Sequence, residues 1–450
     1  MAVKRFGKCL VVGAGLSGQW AAELLLEAGA EVTVCDQKPA SELSEALERF
    51  RGRPVKWIFG DKVAEGFKDV ELVVLSPGIP WSFPGLREAA GKMPVTGEME
   101  LASSMIRVPL VGITGSNGKT TTTGLLGHIC RKNRIPVFVG GNIGDPLSRF
   151  ILNGQKAQAA VVEVSSYQME TASIFHASAA AILNVSPDHL DRYADMAEYF
   201  RAKSRILINQ TPLDLAVMNE DDPLLFHKNT VAARFGFSRR KRQRCGAWVH
   251  RGEILVAESG RETAGRAWAD FKLEGVHNQE NVMAAVGLAS KLGISAQKAL
   301  DAAVDFTPQK HRLELVGEYG QVKYYDDSKG TNIGAVSMAL ASFKPPVVLI
   351  AGGQAKGQDF RLLYKPVHEK VKHLVLIGED RDKIGSALAG AAPISVADSM
   401  AEAVRQARAA ATKGSVVLLS PACASFDMFK DYKHRGESFV KEVKKQARAA

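Results

Sequence analysis

Gly112-Ile113-Thr114-Gly115-Ser116-Asn117-Gly118-Lys119-Thr120-Thr121 decides how this chain reads. The apolar run Val108-Pro109-Leu110-Val111 ahead of it reads as a strand, and Thr122 to Lys132 behind it as a helix. Strand, glycine loop and helix together make a phosphate cradle, because backbone N–H groups and the helix N-terminus face the anion. Lys119 is placed to reach the β- and γ-phosphates, and a hydroxyl of Thr120 or Thr121 to help hold Mg²⁺. The spacing departs from the strict Walker pattern, since Ile113 stands where the first glycine belongs and the glycines fall at Gly112 and Gly115. The expected ligand is a nucleoside triphosphate.

Working outward, residues 1–97 form a first block that opens Lys8-Cys9-Leu10-Val11-Val12-Gly13-Ala14-Gly15-Leu16-Ser17-Gly18, a strand running into GxGxxG. A helix-like segment, Gln19 to Ala28, leads to a second strand, Glu31 to Cys35, which ends in Asp36. Such glycines permit a tight turn and close approach of a diphosphate, and the acid is suited to a ribose or a base. Another strand, Glu71 to Leu75, ends in Ser76-Pro77-Gly78-Ile79-Pro80. The motif predicts a nucleotide diphosphate site without saying which nucleotide.

The second block, 98–308, adds two apolar strands with polar ends: Ala160-Val161-Val162-Glu163-Val164-Ser165-Ser166, and Ala180 to Val185 followed by Ser186-Pro187-Asp188-His189. Ligands of open α/β sheets bind beyond the carboxyl ends of strands, so the phosphate loop, Glu163 and His189 converge on one sheet edge. Taken singly, Glu163 reads equally well as a buried paired carboxylate and His189 as a satisfied loop histidine. Their common placement favours function. The third block, 309–450, alternates strands (Tyr324-Tyr325, Val347 to Ile350, His373 to Ile377, Val416 to Leu419) with helical stretches, a doubly wound α/β pattern. A basic-faced helix is expected from Ser438 to Ala450.

Composition bounds the rest. With 450 residues, 46% apolar and 24% charged, the chain is an ordinary multidomain globular protein with no apolar run of transmembrane length and no signal-peptide pattern. Five scattered cysteines, without a CxxC pair, suit a reducing cytoplasm and give no zinc signal. The net charge of +10 is concentrated in Arg239-Arg240-Lys241-Arg242-Gln243-Arg244, which reads as a solvated hairpin loop between strands, with an anion or partner patch as the alternative.

In order along the chain, Gly115 to Thr121, Glu163-Val164-Ser165-Ser166-Tyr167-Gln168, Asn184-Val185 with Asp188-His189-Leu190-Asp191-Arg192-Tyr193, His277-Asn278-Gln279-Glu280-Asn281, His311-Arg312 and Asp327 to Asn332 resemble the Mur ligases. These are ATP-dependent amide-bond-forming enzymes of peptidoglycan precursor synthesis, and the likeness spans the chain. Gly13 to Gly18, Ser76 to Pro80 and Leu419 to Asp427 most resemble the branch that adds D-glutamate to UDP-N-acetylmuramoyl-L-alanine.

The resemblance implies three domains: a Rossmann-like UDP-binding domain, a central P-loop ATPase domain with a mostly parallel sheet, and a C-terminal Rossmann-like domain. It implies a cytoplasmic monomer using ATP and two Mg²⁺ ions, with no nucleic-acid partner. Gly115, Ser116, Asn117, Gly118, Lys119, Thr120, Thr121, Asn278, Asn281, Arg312 and Asp327 would bind ATP. Thr120, Thr121, Glu163 and His189, with a carbamylated Lys203, would hold metal. Lys119, His189, Lys203 and Arg312 are the expected catalytic residues; read without the resemblance, Lys203 is an ordinary helix lysine. Gly15, Leu16, Ser17, Gly18, Asp36, Gln37, Ser76, Pro77, Gly78 and Asn142 would bind the UDP-substrate. Lys329, Thr331, Lys356, Ser425, Phe426 and Tyr432 would receive D-glutamate, Tyr432 standing where the family has phenylalanine.

Three rivals remain at this point. A nicotinamide-dependent dehydrogenase leaves the phosphate loop, Glu163 and His189 unexplained. A nucleic-acid-dependent ATPase is suggested by the loop and the basic run. A sister ligase acting on another amino acid, or a folylpolyglutamate synthase, is nearest, although the latter begins at the ATPase domain.

Overall fold

Short runs of valine, leucine, isoleucine and alanine make most of the strands, as sheets covered on both faces require. The computed structural model describes residues 6–189, 192–273, 275–307, 310–344 and 346–448. Leu190 and Asp191 of the family motif, and the expected boundary at Pro308 and Gln309, lie outside the described residues.

The first sheet holds β1 (Lys8–Val12), β2 (Glu31–Asp36), β3 (Val55–Phe59), β4 (Leu72–Leu75) and β5 (Val95–Gly97), all parallel, in the order β3-β2-β1-β4-β5. The strand order reverses beside β1, so the glycine loop after β1 opens where α/β sheets bind ligands. Gly18 sits in the helix Leu16–Glu27 that follows this loop, and a Cβ there would lie 1.9 Å from the Gly13 carbonyl oxygen.

The second sheet runs through β6 (Leu110–Thr114), β7 (Val137–Gly141), β8 (Ala159–Glu163), β9 (Ala179–Ile182), β10 (Leu215–Asn219), β11 (Ala233–Ser238), β12 (Gly246–His250), β13 (Glu253–Glu258) and β14 (Arg261–Ala267). Its order is β14-β13-β12-β11-β10-β9-β6-β8-β7, parallel from β7 to β12 and antiparallel beyond. β6 lies between β8 and β9 with Ile113 beside Glu163 and Thr114 beside Ile182. That register carries the phosphate loop, Glu163 and the segment after Ile182 to one edge.

The third sheet, β15 (Glu314–Tyr319), β16 (Val322–Asp326), β17 (Val347–Gly352), β18 (Val371–Ile377), β19 (Ile394–Val396) and β20 (Val416–Leu419), has the order β15-β16-β20-β17-β18-β19, with only β15 antiparallel.

Four local expectations are corrected. The helix after the phosphate loop starts at Lys119 rather than Thr122, because Gly118 takes the left-handed conformation (φ +85°) that turns the chain into it. Helix Leu16–Glu27 starts earlier than Gln19, and the last helix is Tyr432–Arg448, not one beginning at Ser438. Arg239 to Arg244 is not a hairpin loop, since β11 and β12 run parallel. Asp221 accepts the Arg239 amide (2.7 Å) and Ser238 Oγ accepts those of Arg240 and Lys241, so side chains turn the chain where a hairpin would use its own backbone.

Changing Gly18 to alanine sets a methyl group against backbone that cannot swing aside. Thermal melts of Gly18→Ala should show a loss of about 1–3 kcal/mol; unchanged melting would mean that the glycine turn yields freely.

Candidate active site

The phosphate loop is braced from the neighbouring strand end. Asn184 accepts the amide of Ser116 on its carbonyl (2.9 Å) and that of Asn117 on its side chain (2.8 Å). Ser116 Oγ donates to the Ser186 carbonyl (2.9 Å) and lies 3.1 Å from the Tyr199 hydroxyl. Within this frame Lys119 Nζ donates to the carbonyls of Gly115 (2.7 Å) and Ser116 (2.9 Å).

Lys203 Nζ donates to the same Gly115 carbonyl (2.9 Å) and sits 4.5 Å from the Tyr199 ring centre. Lys203 is 2% exposed, and burial, with the Lys119 charge next, holds its amine well below the usual lysine range. Burial likewise lowers the Lys119 pKa, opposed by Glu163 and Asp188.

Glu163, also 2% exposed, accepts the Thr120 hydroxyl on Oε2 (2.7 Å) and the Asn142 amide on Oε1 (2.9 Å). A hydroxyl and a carboxylate side by side are the hard oxygen donors Mg²⁺ prefers, so this pair fits a magnesium site. Thr121 lines the adjoining cleft. His189 holds φ +57°, and its Nδ1 shares a 2.6 Å hydrogen bond with the Tyr167 hydroxyl, while Nε2 lies 3.6 Å from Asp188. Burial lowers its pKa despite Asp188, which favours the neutral, ligating imidazole.

Across the cleft stand Arg312, Asp327 and Lys329 of the third block. Arg312 Nε is buried without a hydrogen-bond partner among the described residues, an orphan donor that an anion would satisfy. Burial lowers the Arg312 pKa against the pull of Glu163 and Asp327. Asp327 accepts Ser420 Oγ (2.7 Å) and the Leu313 amide (3.3 Å), and burial pushes its carboxyl up to about 7. Lys329 rests 4.9 Å from the Tyr432 ring centre; burial and then Arg312 bring its ammonium down to about 8. The Lys356 charge is felt at both Lys119 and His189. On the cleft's other wall, Asn281 accepts Thr122 Oγ1 (3.1 Å) and donates to Asn278 Oδ1 (2.8 Å).

The remaining expected residues are placed less centrally. Gly15 and Leu16 are exposed at the start of their helix, and Asp36 accepts the amides of Ala14 (2.8 Å) and Lys38 (2.9 Å), which orders the loop. Ser76 and Pro77 face Tyr167, Glu170 and Arg192 across a small cavity, while Gly78 and Gln37 are exposed. Asn142, expected at the UDP-substrate, donates its side-chain amide to Glu163. Thr331 is half-buried, Ser425 buried and Phe426 70% exposed, so Phe426 turns outward from its neighbour.

Two contributors were given no role in the sequence reading, although Asn332 closes the motif that begins at Asp327. Tyr199 lies four residues before Lys203, one helical turn away on the same face, a spacing that does carry the signal. Asn332 caps the helix Ile333–Ala341 by accepting the Ala335 amide (2.8 Å), and its Nδ2 donates to Asp188 Oδ2 (2.9 Å) and Asn117 Oδ1 (3.2 Å). An asparagine before a helix predicts the cap; nothing in the pattern predicts the contact across the cleft.

Known proteins match this arrangement. The MurD-like N-terminal domain of Mur ligases matches residues 7–97, the Mur ligase middle domain 113–289 and the Mur ligase glutamate ligase domain 311–423. A UDP-N-acetylmuramoylalanine–D-glutamate ligase of Trichlorobacter lovleyi is 41% identical over 98% of this chain and 99% of its own length. Another, of Geotalea daltonii, is 43% identical with 97% of each chain covered. Among solved structures, a pseudomurein peptide ligase type C from Methanothermus fervidus shares the fold at 18% identity, with a TM-score of 0.63 over 97% of this chain and 99% of that one. The MurF ligase of Thermotoga maritima in complex with ADP does so at 17%, with 0.61 over 98% and 96%.

Asn332→Ser keeps a capping oxygen but removes the donor that spans the cleft. Because Nδ2 bonds a carboxylate, kcat/KM for phosphate release should fall by about 10–100-fold, the equivalent of roughly 1.5–3 kcal/mol. Thermal melts should move little, since serine caps about as well as asparagine. A drop in melting temperature matched by unchanged kcat/KM would contradict this.

Proposed function

This chain belongs to the Mur ligase family, and from that premise we propose that it joins D-glutamate to UDP-N-acetylmuramoyl-L-alanine, converting ATP to ADP and phosphate. The observation that carries the reading is the cleft where Lys119, the orphan Arg312 donor and the Thr120–Glu163 pair face Lys329 and Lys356. A polyanionic nucleotide and a dicarboxylic amino acid both need such cations. We take the working units as 1–97 for the UDP-substrate, 98–308 for ATP and 309–450 for D-glutamate. The protein acts as a cytoplasmic monomer in this reading, and no helix among the described residues is long and apolar enough to cross a membrane.

A carboxylate is a poor electrophile, so the alanyl carboxylate first attacks the γ-phosphorus of ATP and expels ADP. Lys119 and Arg312 neutralise charge on the phosphates while the loop amides hold them in line. The neutral amine of D-glutamate then adds to the acyl phosphate, loses a proton and expels phosphate. Asn278 and Asn281 address adenine, and Asp327 the ribose. Gly15 to Gly18, Asp36, Gln37, Ser76 to Gly78 and Asn142 hold the UDP-substrate. Lys329, Thr331, Lys356 and Ser425 receive glutamate, with Phe426 and Tyr432 at the margin.

Thr120, Thr121 and Glu163 would hold one Mg²⁺, and His189 with carbamylated Lys203 a second; when bound, the ions neutralise phosphate oxygens. Lys203 is prepared for that modification. Its buried amine, held well below the usual lysine range, attacks CO₂ as the free base and releases one proton, leaving a carbamate anion beside Lys119.

Phosphate release should require both UDP-N-acetylmuramoyl-L-alanine and D-glutamate, with L-glutamate, L-alanine, L-lysine and meso-diaminopimelate inactive. Release with another amino acid would assign a sister activity, and independence from the UDP-sugar would refute the role of the first block. Stripping CO₂ from enzyme and buffer should remove most activity and bicarbonate restore it, whereas Lys203→Arg should not recover. Full activity without CO₂ would rule out the carbamate.

A further inference from the structure

Away from the active site, one groove combines apolar lining with cations alone. It lies between the outer face of the helix Met196–Ser204, continued as Arg205–Leu207, and residues 228–231, and encloses about 630 Å³. Phe200, Leu207, Ile208 and Val231 supply the apolar surface, with Ile208 46% and Val231 67% exposed. Arg201, Arg205 and Lys228 also line it, and no carboxylate does among the described residues. Arg205 is fixed in aim, its Nε (2.8 Å) and Nη2 (2.5 Å) both donating to the Ala172 carbonyl. Arg201 is exposed and enters no ion pair among the described residues.

A second observation is independent of charge. Ser204, 8% exposed, lines the same groove, and its hydroxyl is buried without a hydrogen-bond partner among the described residues. Orphan hydroxyls of this kind are uncommon in native proteins and call for a polar partner. The volume of this open groove falls within the range of small-molecule sites.

We propose that this groove binds one single-chain anionic amphiphile. Its tail lies on Phe200, Leu207, Ile208 and Val231, and its carboxylate or phosphate head sits among Arg201, Arg205 and Lys228 with Ser204 Oγ as a buried donor. Both halves of the ligand are needed: the cations select the sign of the head, and the apolar floor supplies the driving force.

The test is titration calorimetry of the full chain with dodecanoate below its micelle threshold, beside dodecyltrimethylammonium and acetate. Dodecanoate should bind saturably at one per chain, with the cationic amphiphile and acetate each weaker by about ten-fold or more. Arg201→Glu and Val231→Asp are surface changes that should each weaken dodecanoate by about ten-fold or more, while melting temperature and phosphate release without amphiphile stay as in the parent. Absence of saturable binding, equal affinity for the cationic amphiphile, or unchanged affinity in both variants would overturn the site. Binding only to anionic phospholipid vesicles would overturn it as well, and assign the face to a membrane surface.

Discussion

Two buried lysines aimed at one carbonyl set the terms for everything around the cleft. Lys119 and Lys203 both donate to the Gly115 oxygen, and the Lys119 charge adds to burial in lowering the Lys203 pKa. Two amines this close stay in place only if the surroundings hold them, and here Tyr199, Asn184 and Ser186 fix the loop from behind. Glu163 and Asp188 offset part of the positive field. Arg312, Lys329 and Lys356 add to it from the third block. The protein thus folds around a surplus of positive charge that its own carboxylates do not balance, an environment suited to the polyanions of the proposed reaction.

The joins between blocks differ in kind. The first and second share one continuous apolar core in which Ala21, Leu24 and Leu25 of the helix Leu16–Glu27 belong with Leu147 and Phe150, and Trp20 lies 5.3 Å from the Arg149 guanidinium. Across the cleft the named contacts are polar: Asn332 to Asp188 and Asn117, and Arg312 toward Glu163. Separating apolar surfaces exposes them to water, whereas water replaces hydrogen bonds at small net cost. The third block is therefore the one whose opening is least costly, and Arg312, Lys329 and Lys356 belong to it.

This contrast also explains what the sequence could reveal. β1, β2, β6, β8, β9, β17 and β20 are buried runs followed by glycine or polar turns, and periodicity with turn chemistry locates them. β3, β5, β15 and β19 are short or marginal in pattern, and all four lie at sheet edges where burial is incomplete. The Arg239 to Arg244 run misled because polarity between two strands suggests a hairpin, while the direction of β12 depends on Asp221 and Ser238, which composition does not weigh. In the site, Lys119 and Glu163 were legible because a strand end and a glycine loop fix their place. Lys203 was legible only through the family likeness: a helix lysine carries no mark of burial in its neighbours. Asn332 bonds Asp188, 144 positions away in the chain, and a local pattern cannot encode a partner at that distance.

Arg435 shows how the third block stays rigid enough to present its cations. It is 0% exposed, yet no carboxylate among the described residues pairs with it directly, and burial brings its pKa down to about 10. Its hydrogen bonds go to the Ser328 hydroxyl (3.0 Å) and to the carbonyls of Ser328 (2.8 Å), Cys423 (3.1 Å) and Ala424 (3.1 Å). Those acceptors belong to the loops after β16 and β20, neighbouring parallel strands whose ends carry Lys329 and Ser425. A fully buried guanidinium is tolerated when its donors are satisfied, and a planar fork satisfied from two loops holds them at a fixed separation. Lysine could reach only part of that set, so the position demands arginine for geometry rather than charge. The same bonds leave Lys329 little freedom except at its own side chain, which lies over Tyr432 and points its ammonium toward the cleft that Arg312 and Glu163 share.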